Sequence, residues 1–283
     1  YNPMKKVLLL LVCLIGMTLA HAQTYTIYPI PQQTTEGSGT VELTPTINVV
    51  CGSGIGRVTK DRIQEVLEGA GYTFQLSESA SSELTNLYVG VAGSGDVADA
   101  YATSRGVSKE VFTEAPNRFD AHVMQIADGN IVVLGNGERS EYYAFATLEQ
   151  ILEQAAGTAL HEVTYEDYSH CQWRGAIEGF YGNPYSVDAH CSLFEFFKRF
   201  KMNVFIYAPK MDPYHLGYWT EEYPTEITEE QRRMGWITQD DVRRMAETAR
   251  ACNVHFVWAA HPGLAPGGQV SMDFSSTATV DEG

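Results

Sequence analysis

Three apolar stretches in the second half of the chain, each followed by glycine, proline or polar residues, decide the fold. They are RGAIEGFYGNPYS at 174–186, KMNVFIYAPK at 201–210 and FVWAAHPG at 256–263. Each contains a short run that is typical of a buried strand. The predicted strand cores are 176–177, 203–207 and 254–260. Because the connections between them are long, we expect the three strands to lie parallel in one sheet.

Both connections carry the spacing of an amphipathic helix. The apolar positions of the first helix are Leu193, Phe196, Phe197 and Phe200, and those of the second are Val242, Met245, Ala246 and Ala249. Thr238 and Asp241 have the spacing of a capping box at the start of the second helix. Strand, helix, strand, helix, strand predicts parallel strands that are joined by right-handed crossovers.

This alternation is the repeat of a (β/α)8 TIM barrel, but a full barrel takes about 250 residues. Residues 171–283 are fewer than half of that number. The run at 271–283 is polar and has no predicted closing strand. The sequence therefore predicts the first units of a truncated barrel. A short complete α/β sheet is the alternative.

The first half of the chain has the rhythm of a small α/β layer. Strands are predicted at 47–50 and 87–91, and the helix between them has Ile63, Val66, Leu67 and Ala70 on one side. Asp128-Gly129 lies within an alternating stretch at 121–134 and is the signature of a β-hairpin. A second helix is predicted at 144–152.

The periodicity lapses around residues 164–172, and we place a domain boundary there. The predicted α/β fold therefore has an accessory α/β domain at 23–166, followed by the incomplete barrel at 171–283. No group of residues that could perform catalysis stands out in the first of these domains.

The N-terminus has the features of a secretory signal peptide. Lys5 and Lys6 precede an apolar run at 7–19, which closes on the small residues of the segment 20–22. A membrane anchor is the alternative, but the run is shorter than the roughly 20 residues that cross a bilayer. We therefore expect residues 1–22 to comprise upstream residues and a cleaved signal. The mature chain would be secreted or periplasmic, with no transmembrane anchor.

Composition limits the classes of partner and cofactor. The 283 residues include 19 basic and 35 acidic side chains, and the resulting charge of −16 disfavours binding to nucleic acid. No CxxC pattern or cysteine–histidine cluster indicates zinc, so no metal or other cofactor is predicted. The mature chain would have four cysteines in an oxidising compartment, namely Cys51, Cys171, Cys191 and Cys252. The sequence leaves open whether they form disulfides or remain unpaired thiols.

Polar segments follow each predicted strand of the second half, at 178–182, 210–215 and 261–263. The carboxyl ends of parallel strands carry the functional residues of barrels and open sheets, so these segments form the candidate site. Gly179 would let the backbone approach a ligand closely, and Lys210 would donate hydrogen bonds to hydroxyl groups. A plain turn at Gly179 and a solvated surface position for Lys210 are the alternatives.

Other polar residues of this half are better explained by structural roles. Asp212 and His215 would pair with each other or cap a loop. Asp240 and Asp241 begin a predicted helix, where the helix dipole stabilises carboxylates. We therefore assign catalysis to neither of these two pairs.

The strings at 174–186, 201–210 and 212–215, continued at 256–263, resemble glycoside hydrolase family 84. That family contains O-GlcNAcases and hyaluronidase-type enzymes. A weaker similarity at 141–148 links the first half to the accessory domain that precedes such barrels and those of hexosaminidases. The resemblance implies a retaining glycosidase that removes terminal β-linked N-acetylglucosamine from glycans or glycoproteins. The motif that contains Lys210 argues against another hexosaminidase family.

The reaction that the resemblance implies is substrate-assisted: the acetamide oxygen of the sugar attacks the anomeric carbon, and two adjacent aspartates assist. The family has them after its fourth barrel strand, so we expect them beyond Gly283 and predict no catalytic residue in this chain. Carried over residue by residue, the Gly179 backbone would face the sugar and Lys210 would bind a ring hydroxyl. Tyr181 and Asp212 would be neighbours. A non-catalytic glycan-binding protein is the alternative, and the native glycan and oligomeric state stay open.

Overall fold

The computed structural model describes residues 25–113, 116–137, 139–155, 157, 159–179, 182–209, 212 and 223–259, with the backbone of 277–279. Within these residues the chain forms two β-sheets, one of seven strands and one of four, with helices packed against them. This mixed α/β architecture confirms the predicted fold class at that level.

The first sheet is mixed. Its strands are β1 (Gln33–Val41), β2 (Thr46–Cys51), β3 (Thr73–Ser77), β4 (Asn86–Val91), β5 (Phe119–Ala127), β6 (Asn130–Gly135) and β7 (Leu160–Ser169), in the order β1-β7-β5-β6-β4-β2-β3. The strands β6, β4, β2 and β3 run parallel, whereas β1, β7, β5 and β6 pair antiparallel. Strands β2 and β4 are almost continuously apolar because helices cover both faces of the sheet.

Three helices pack on this sheet: α1 (Arg57–Gly69), α2 (Val97–Ser104) and α3 (Ala144–Ala155). The predicted face of α1 is confirmed, since Ile63, Val66 and Leu67 are buried in one cluster with apolar residues of α3. Helix α2 packs into a separate cluster on the opposite face of the sheet. After α1 the chain turns at Gly71, whose φ of +85° is a conformation that favours glycine.

The predicted hairpin joins β5 to β6. Asp128 and Gly129 both have positive φ, at +51° and +75°, as a type I′ turn requires. Ala127 and Asn130 on either side of them are paired in the antiparallel register. The turn therefore sets the register between β5 and β6.

The second sheet contains the three strands predicted in the second half of the chain. They are β8 (Gly175–Glu178), β9 (Val204–Tyr207) and β10 (His255–Ala259), and they pair in parallel in sequence order. Their connections contain α4 (Val187–Arg199), α5 (Glu229–Arg233) and α6 (Gln239–Ala251). The predicted strand–helix alternation is therefore confirmed for these units.

A short strand, β11 (Thr277–Thr279), pairs antiparallel with β10 and completes the four-stranded order β11-β10-β9-β8. β11 is an additional edge strand, which the polar sequence at 271–283 did not predict. The segment is polar, but its two β-branched threonines suit a strand, and its backbone groups can pair with the open edge of β10.

The predicted apolar face of α4 is partly wrong. Phe194 and Phe197 are buried against the sheet, whereas Phe196 is 49% exposed. The Phe196 ring instead packs on that of Phe200, with centroids 4.5 Å apart. Because phenylalanines occupy adjacent positions along α4, their spacing alone does not fix the rotation of the helix about its axis.

Polar contacts join the two sheets. The Arg174 guanidinium, just before β8, lies 2.7 Å from the Asp120 carboxylate of β5 and 5.4 Å from the centre of the Tyr143 ring. Lys201, just before β9, forms a buried ion pair of 2.7 Å with Asp167 of β7. The amino ends of β8 and β9 are thus attached to the first sheet, which leaves their carboxyl ends pointing away from it.

No helix in the described part of the chain is long and apolar enough to cross a membrane. Residues 1–22, where we predict the signal peptide, lie outside the described residues.

Candidate functional site

The carboxyl ends of β8 and β9 lie side by side. Glu178 is paired with Tyr207 in the parallel register, and the Ala208 N–H donates to the Glu178 carbonyl oxygen at 2.9 Å. Gly179 therefore leaves the sheet next to Ala208 and Pro209. The candidate site is predicted at this edge of the sheet.

Gly179 is exposed, and its packing does not require a glycine. A Cβ at this position would meet only Cγ2 of Ile177, at an ordinary contact distance of 3.5 Å. At Gly175, by contrast, a Cβ would overlap the Val204 carbonyl oxygen, so close approach of the two strands explains that glycine. The open surface at Gly179 is what a contact between its backbone and a ligand needs.

Lys210, Tyr181 and His215 lie outside the described residues. The sugar contact that we predict for Lys210 therefore stays a prediction. Pro209 and Asp212, on either side of position 210, are described, and the Asp212 N–H donates to the Pro209 carbonyl oxygen at 3.4 Å.

The carboxylate of Glu178 is almost fully buried, and its two oxygens face two different groups. Oε1 accepts the backbone N–H of Tyr185 at 2.8 Å, and Oε2 contacts Nε2 of His190 in α4. His190 is also buried, and the rings of Phe205 and Tyr207 lie 5.4 and 5.7 Å from its ring. The Glu178–His190 pair thus ties the end of β8 to α4 inside an aromatic enclosure.

A second buried carboxylate, Asp212, accepts hydrogen bonds from two tyrosines. The hydroxyls of Tyr207 and Tyr223 each lie 2.8 Å from its Oδ2, and Nε1 of Trp258 donates to the Tyr223 hydroxyl at 3.0 Å. Burial, together with the Asp212 carboxylate, raises the pKa of Tyr207 well above its usual range, so this hydroxyl stays a donor. The contacts give Asp212 a structural role that links β9 and β10.

Asp240 and Asp241 have the structural roles predicted at the start of α6. Thr238 and Asp241 form the capping box, with the Thr238 N–H 2.9 Å from Oδ2 of Asp241. Burial would raise the pKa of Asp241, but these bonds and the nearby Arg232 hold it below its usual range. Asp240 is exposed and pairs with Arg243.

Two cavities lie at the amino ends of the parallel strands, opposite the candidate site. One of about 160 Å³ is lined by residues that include His122, Asp167 and Lys201. A wider groove of about 450 Å³ is lined by residues that include Trp173 and Asn203. They belong to the junction between the two sheets, so they are separate from the edge that carries Gly179.

The described residues hold no group of three or more histidine, cysteine, aspartate or glutamate side chains placed to bind a metal ion. Cys51, Cys171, Cys191 and Cys252 are free thiols, which answers the alternative that the sequence left open. Burial raises the pKa of Cys51 to about 11 and that of Cys252 to about 12. Neither of these two thiols is therefore a nucleophile near neutral pH.

His190, Tyr223 and Trp258 also belong to this edge, although no pattern in the sequence indicated it. The only local signal was the carboxylate of Glu178 at the end of an apolar strand. His190 follows it by 12 positions, and Tyr223 and Trp258 are 35 positions apart. No spacing rule connects such positions, so only the folded chain brings them together.

Two family models match the chain. Residues 24–168 match domain 2 of glycosyl hydrolase family 20, and residues 174–282 match beta-N-acetylglucosaminidase. The first match covers the first sheet and its helices, and the second contains the candidate site.

Among curated proteins, the chain is similar to Protein O-GlcNAcase of Rattus norvegicus and to that of Mus musculus. Each is 31% identical over 90 residues, which cover 32% of this chain and 9% of the relative. The chain thus spans a small part of the length of these relatives.

Among solved structures, the chain is similar to CpGH84D, with 35% identity and a TM-score of 0.75. The match covers 85% of this chain and 38% of CpGH84D. A chitobiase of Flavobacterium johnsoniae shares the fold, with 16% identity, a TM-score of 0.54 and coverage of 84% of this chain and 35% of that one.

Proposed function

We propose that the protein removes terminal β-linked N-acetylglucosamine from glycans or glycoproteins. The chain belongs to the β-N-acetylglucosaminidases of the glycoside hydrolase family 84 type. A domain 2 of the family 20 type precedes its glycosidase segment. The observation that carries this proposal is the match of residues 174–282, because this segment contains the strand ends at Gly179 and Pro209. The geometry at Gly179 is compatible with a sugar contact through the backbone.

Two contacts with N-acetylglucosamine are part of the proposal. The exposed backbone of Gly179 faces the sugar, and Lys210 donates a hydrogen bond to a ring hydroxyl. The first contact is supported by the open surface at position 179, where packing within the protein does not require a glycine. The position of Lys210 directly after β9 supports the second, because residues at that end of a parallel strand meet the ligand.

The proposed reaction is retaining and substrate-assisted. The acetamide oxygen of the sugar displaces the leaving group at the anomeric carbon, and an aspartate pair orients the acetamide and transfers the proton. We place this pair outside the chain, in the larger part of the protein. In support, the chain covers only 38% of CpGH84D, and the two buried carboxylates of the described strand ends are occupied by structural hydrogen bonds.

The three parallel strands and their helices are, in this proposal, the first units of a (β/α)8 barrel at 171–283. The accessory domain at 23–166 precedes it, and residues 1–22 direct the protein to the periplasm or the exterior. The parallel order of β8, β9 and β10 supports the barrel. Sequencing the N-terminus of the mature protein tests the signal, since cleavage there would leave Gln23 as the first residue.

A glycan-binding protein without catalysis is the second candidate. The hydrogen bonds of Glu178 and Asp212 favour this candidate, because they occupy both of these carboxylates and leave neither available as a general acid. Such a protein would keep Gly179 and Lys210 as sugar contacts and lack turnover.

The test is hydrolysis of a chromogenic β-N-acetylglucosaminide by the full-length protein and, separately, by the chain 1–283. We expect release of the chromophore by the full-length protein and none by the chain 1–283 above a blank preparation. Binding of N-acetylglucosamine by the full-length protein without any release would favour the second candidate. Release by the chain 1–283 would contradict the proposed position of the aspartate pair.

A further inference from the structure

We propose that Glu178 is a positioning residue of the sugar site, whose carboxylate fixes the backbone at Gly179. This inference rests on the proposed function, which places Gly179 against N-acetylglucosamine. Glu178 does not touch the sugar in this proposal. It acts through its neighbour, and His190 acts through Glu178.

The hydrogen-bond chemistry at this position favours a carboxylate. The Tyr185 N–H can only donate, and because a carboxylate only accepts, Nε2 of His190 must carry the proton that points at Glu178. Two donors therefore face two acceptor oxygens. Glutamine has the same shape but offers one acceptor and one donor, so it satisfies both partners only if the His190 proton moves to Nδ1, where no hydrogen-bond acceptor lies among the described residues.

The bond from Glu178 to Tyr185 joins the end of β8 to the residues that lead into α4. The two residues are seven positions apart, and their contact of 2.8 Å brings Tyr185 next to the end of β8. Directly after Tyr185, Ser186 caps α4 by accepting the Ala189 N–H at 3.2 Å. Tyr185 is thus held between the end of β8 and the start of α4, beside the strand end from which Gly179 continues.

Stability alone is a poor explanation for this pair. Burial of a carboxylate has a desolvation cost that its hydrogen bonds must first offset. Nδ1 of His190 is buried without a hydrogen-bond partner among the described residues, a cost that an apolar side chain in the same aromatic enclosure would avoid. Fixing the geometry of the strand end explains why two polar side chains occupy this position.

The test is Glu178→Gln in the full-length protein, with Asp167→Asn as the matched control. Both variants change a buried carboxylate to its isosteric amide, and Asp167 lies at the opposite end of the strands. We expect Glu178→Gln to raise the inhibition constant of N-acetylglucosamine about tenfold, which is about 1.4 kcal/mol. The control should lower the melting temperature and leave the inhibition constant unchanged.

A second pair of variants decides the case if Glu178→Gln does not fold. His190→Gln keeps a donor toward the carboxylate and should bind N-acetylglucosamine as the unaltered protein does. His190→Phe keeps a ring in the enclosure, loses the donor and should bind more weakly. Equal binding by these two, or equal inhibition constants for Glu178→Gln and Asp167→Asn, would overturn the positioning role. If the unaltered protein neither binds nor hydrolyses N-acetylglucosaminides, the proposed function itself fails.

Discussion

Nζ of Lys201 lies 2.7 Å from Oδ2 of Asp167, and both side chains are more than nine-tenths buried. The pair links Lys201, which precedes β9, with the carboxyl-terminal part of β7. Nε2 of His122 lies 3.7 Å from the same oxygen. Burial would raise the pKa of Asp167, but Lys201 and His122 hold it below its usual range. The junction between the two sheets therefore contains groups whose protonation is coupled to folding.

The stability of the chain should fall in acid because of His122. Burial, with the nearby Lys201 charge, lowers the pKa of His122 to about 4. Between its ordinary value of about 6.5 and pH 4 the unfolded chain binds a proton that the folded chain does not, so the free energy of unfolding decreases by about 3 kcal/mol. Below that range, protonation of Asp167 removes a further contribution.

Chemical denaturation at pH 7 and at pH 4.5 measures this difference. His122→Gln should flatten the dependence between the two pH values, whereas His161→Gln, a change at an exposed position of β7, should leave it intact. An equally steep dependence in both variants would contradict the role of His122.

Thiol reactivity should follow burial. Cys171 is exposed, whereas burial raises the pKa of Cys51 and Cys252 to about 11 and 12. Iodoacetamide at pH 8 should therefore modify Cys171 in the native chain and spare these two until denaturant is added. Mass spectrometry of the peptides gives the result. A cystine joining any of them in the native chain would contradict the free thiols of the structure.

Limited proteolysis of the chain 1–283 should degrade the second half before the first. The first sheet closes its own core, whereas β8 is an edge strand of the described second sheet, with Ile177 65% exposed and Trp173 56% exposed. An open strand edge with apolar surface is a site of instability when nothing covers it. Fragments that end near residue 170 should accumulate. Equal resistance of both halves would refute the expectation of an incomplete second half.

Much of the fold could be predicted because its signals are local. The parallel strands follow from apolar runs with long connections, the capping box from the spacing of Thr238 and Asp241, and the hairpin from Asp128-Gly129. The apolar runs, the capping box and the hairpin turn each depend on residues within a few positions of one another, and the length of the connections then indicates parallel pairing.

The parts that could not be predicted depend on tertiary packing. The rotation of α4 was ambiguous because Phe196 and Phe197 are adjacent, and only packing on β9 selects Phe197 for the core. The Lys201–Asp167 pair joins positions far apart in the chain, and the Glu178–His190 pair forms only once α4 covers β8. The sequence predicted the strand ends of the candidate site, but it did not predict the buried hydrogen-bonded side chains around Glu178 and Asp212.

Replacement of Lys210 should reduce activity without unfolding the protein. In the full-length protein, Lys210→Ala removes a charge-assisted hydrogen bond to a sugar hydroxyl, worth roughly 1.5 to 3 kcal/mol. We expect kcat/KM on a chromogenic N-acetylglucosaminide to fall about ten- to hundredfold. The melting temperature should change little. An unaltered kcat/KM would make Lys210 a solvated surface residue, and failure to fold would make it structural.

The most direct test of the account is proton NMR of the first product that the full-length protein releases from a β-N-acetylglucosaminide. Substrate-assisted hydrolysis retains the configuration, so we expect the β-anomer of N-acetylglucosamine to appear first and the α-anomer to follow by mutarotation. Initial release of the α-anomer would contradict the proposed mechanism. Binding of the sugar with no product at all would contradict the assignment as a glycosidase and leave the strand ends at Gly179 and Lys210 as a glycan-binding site.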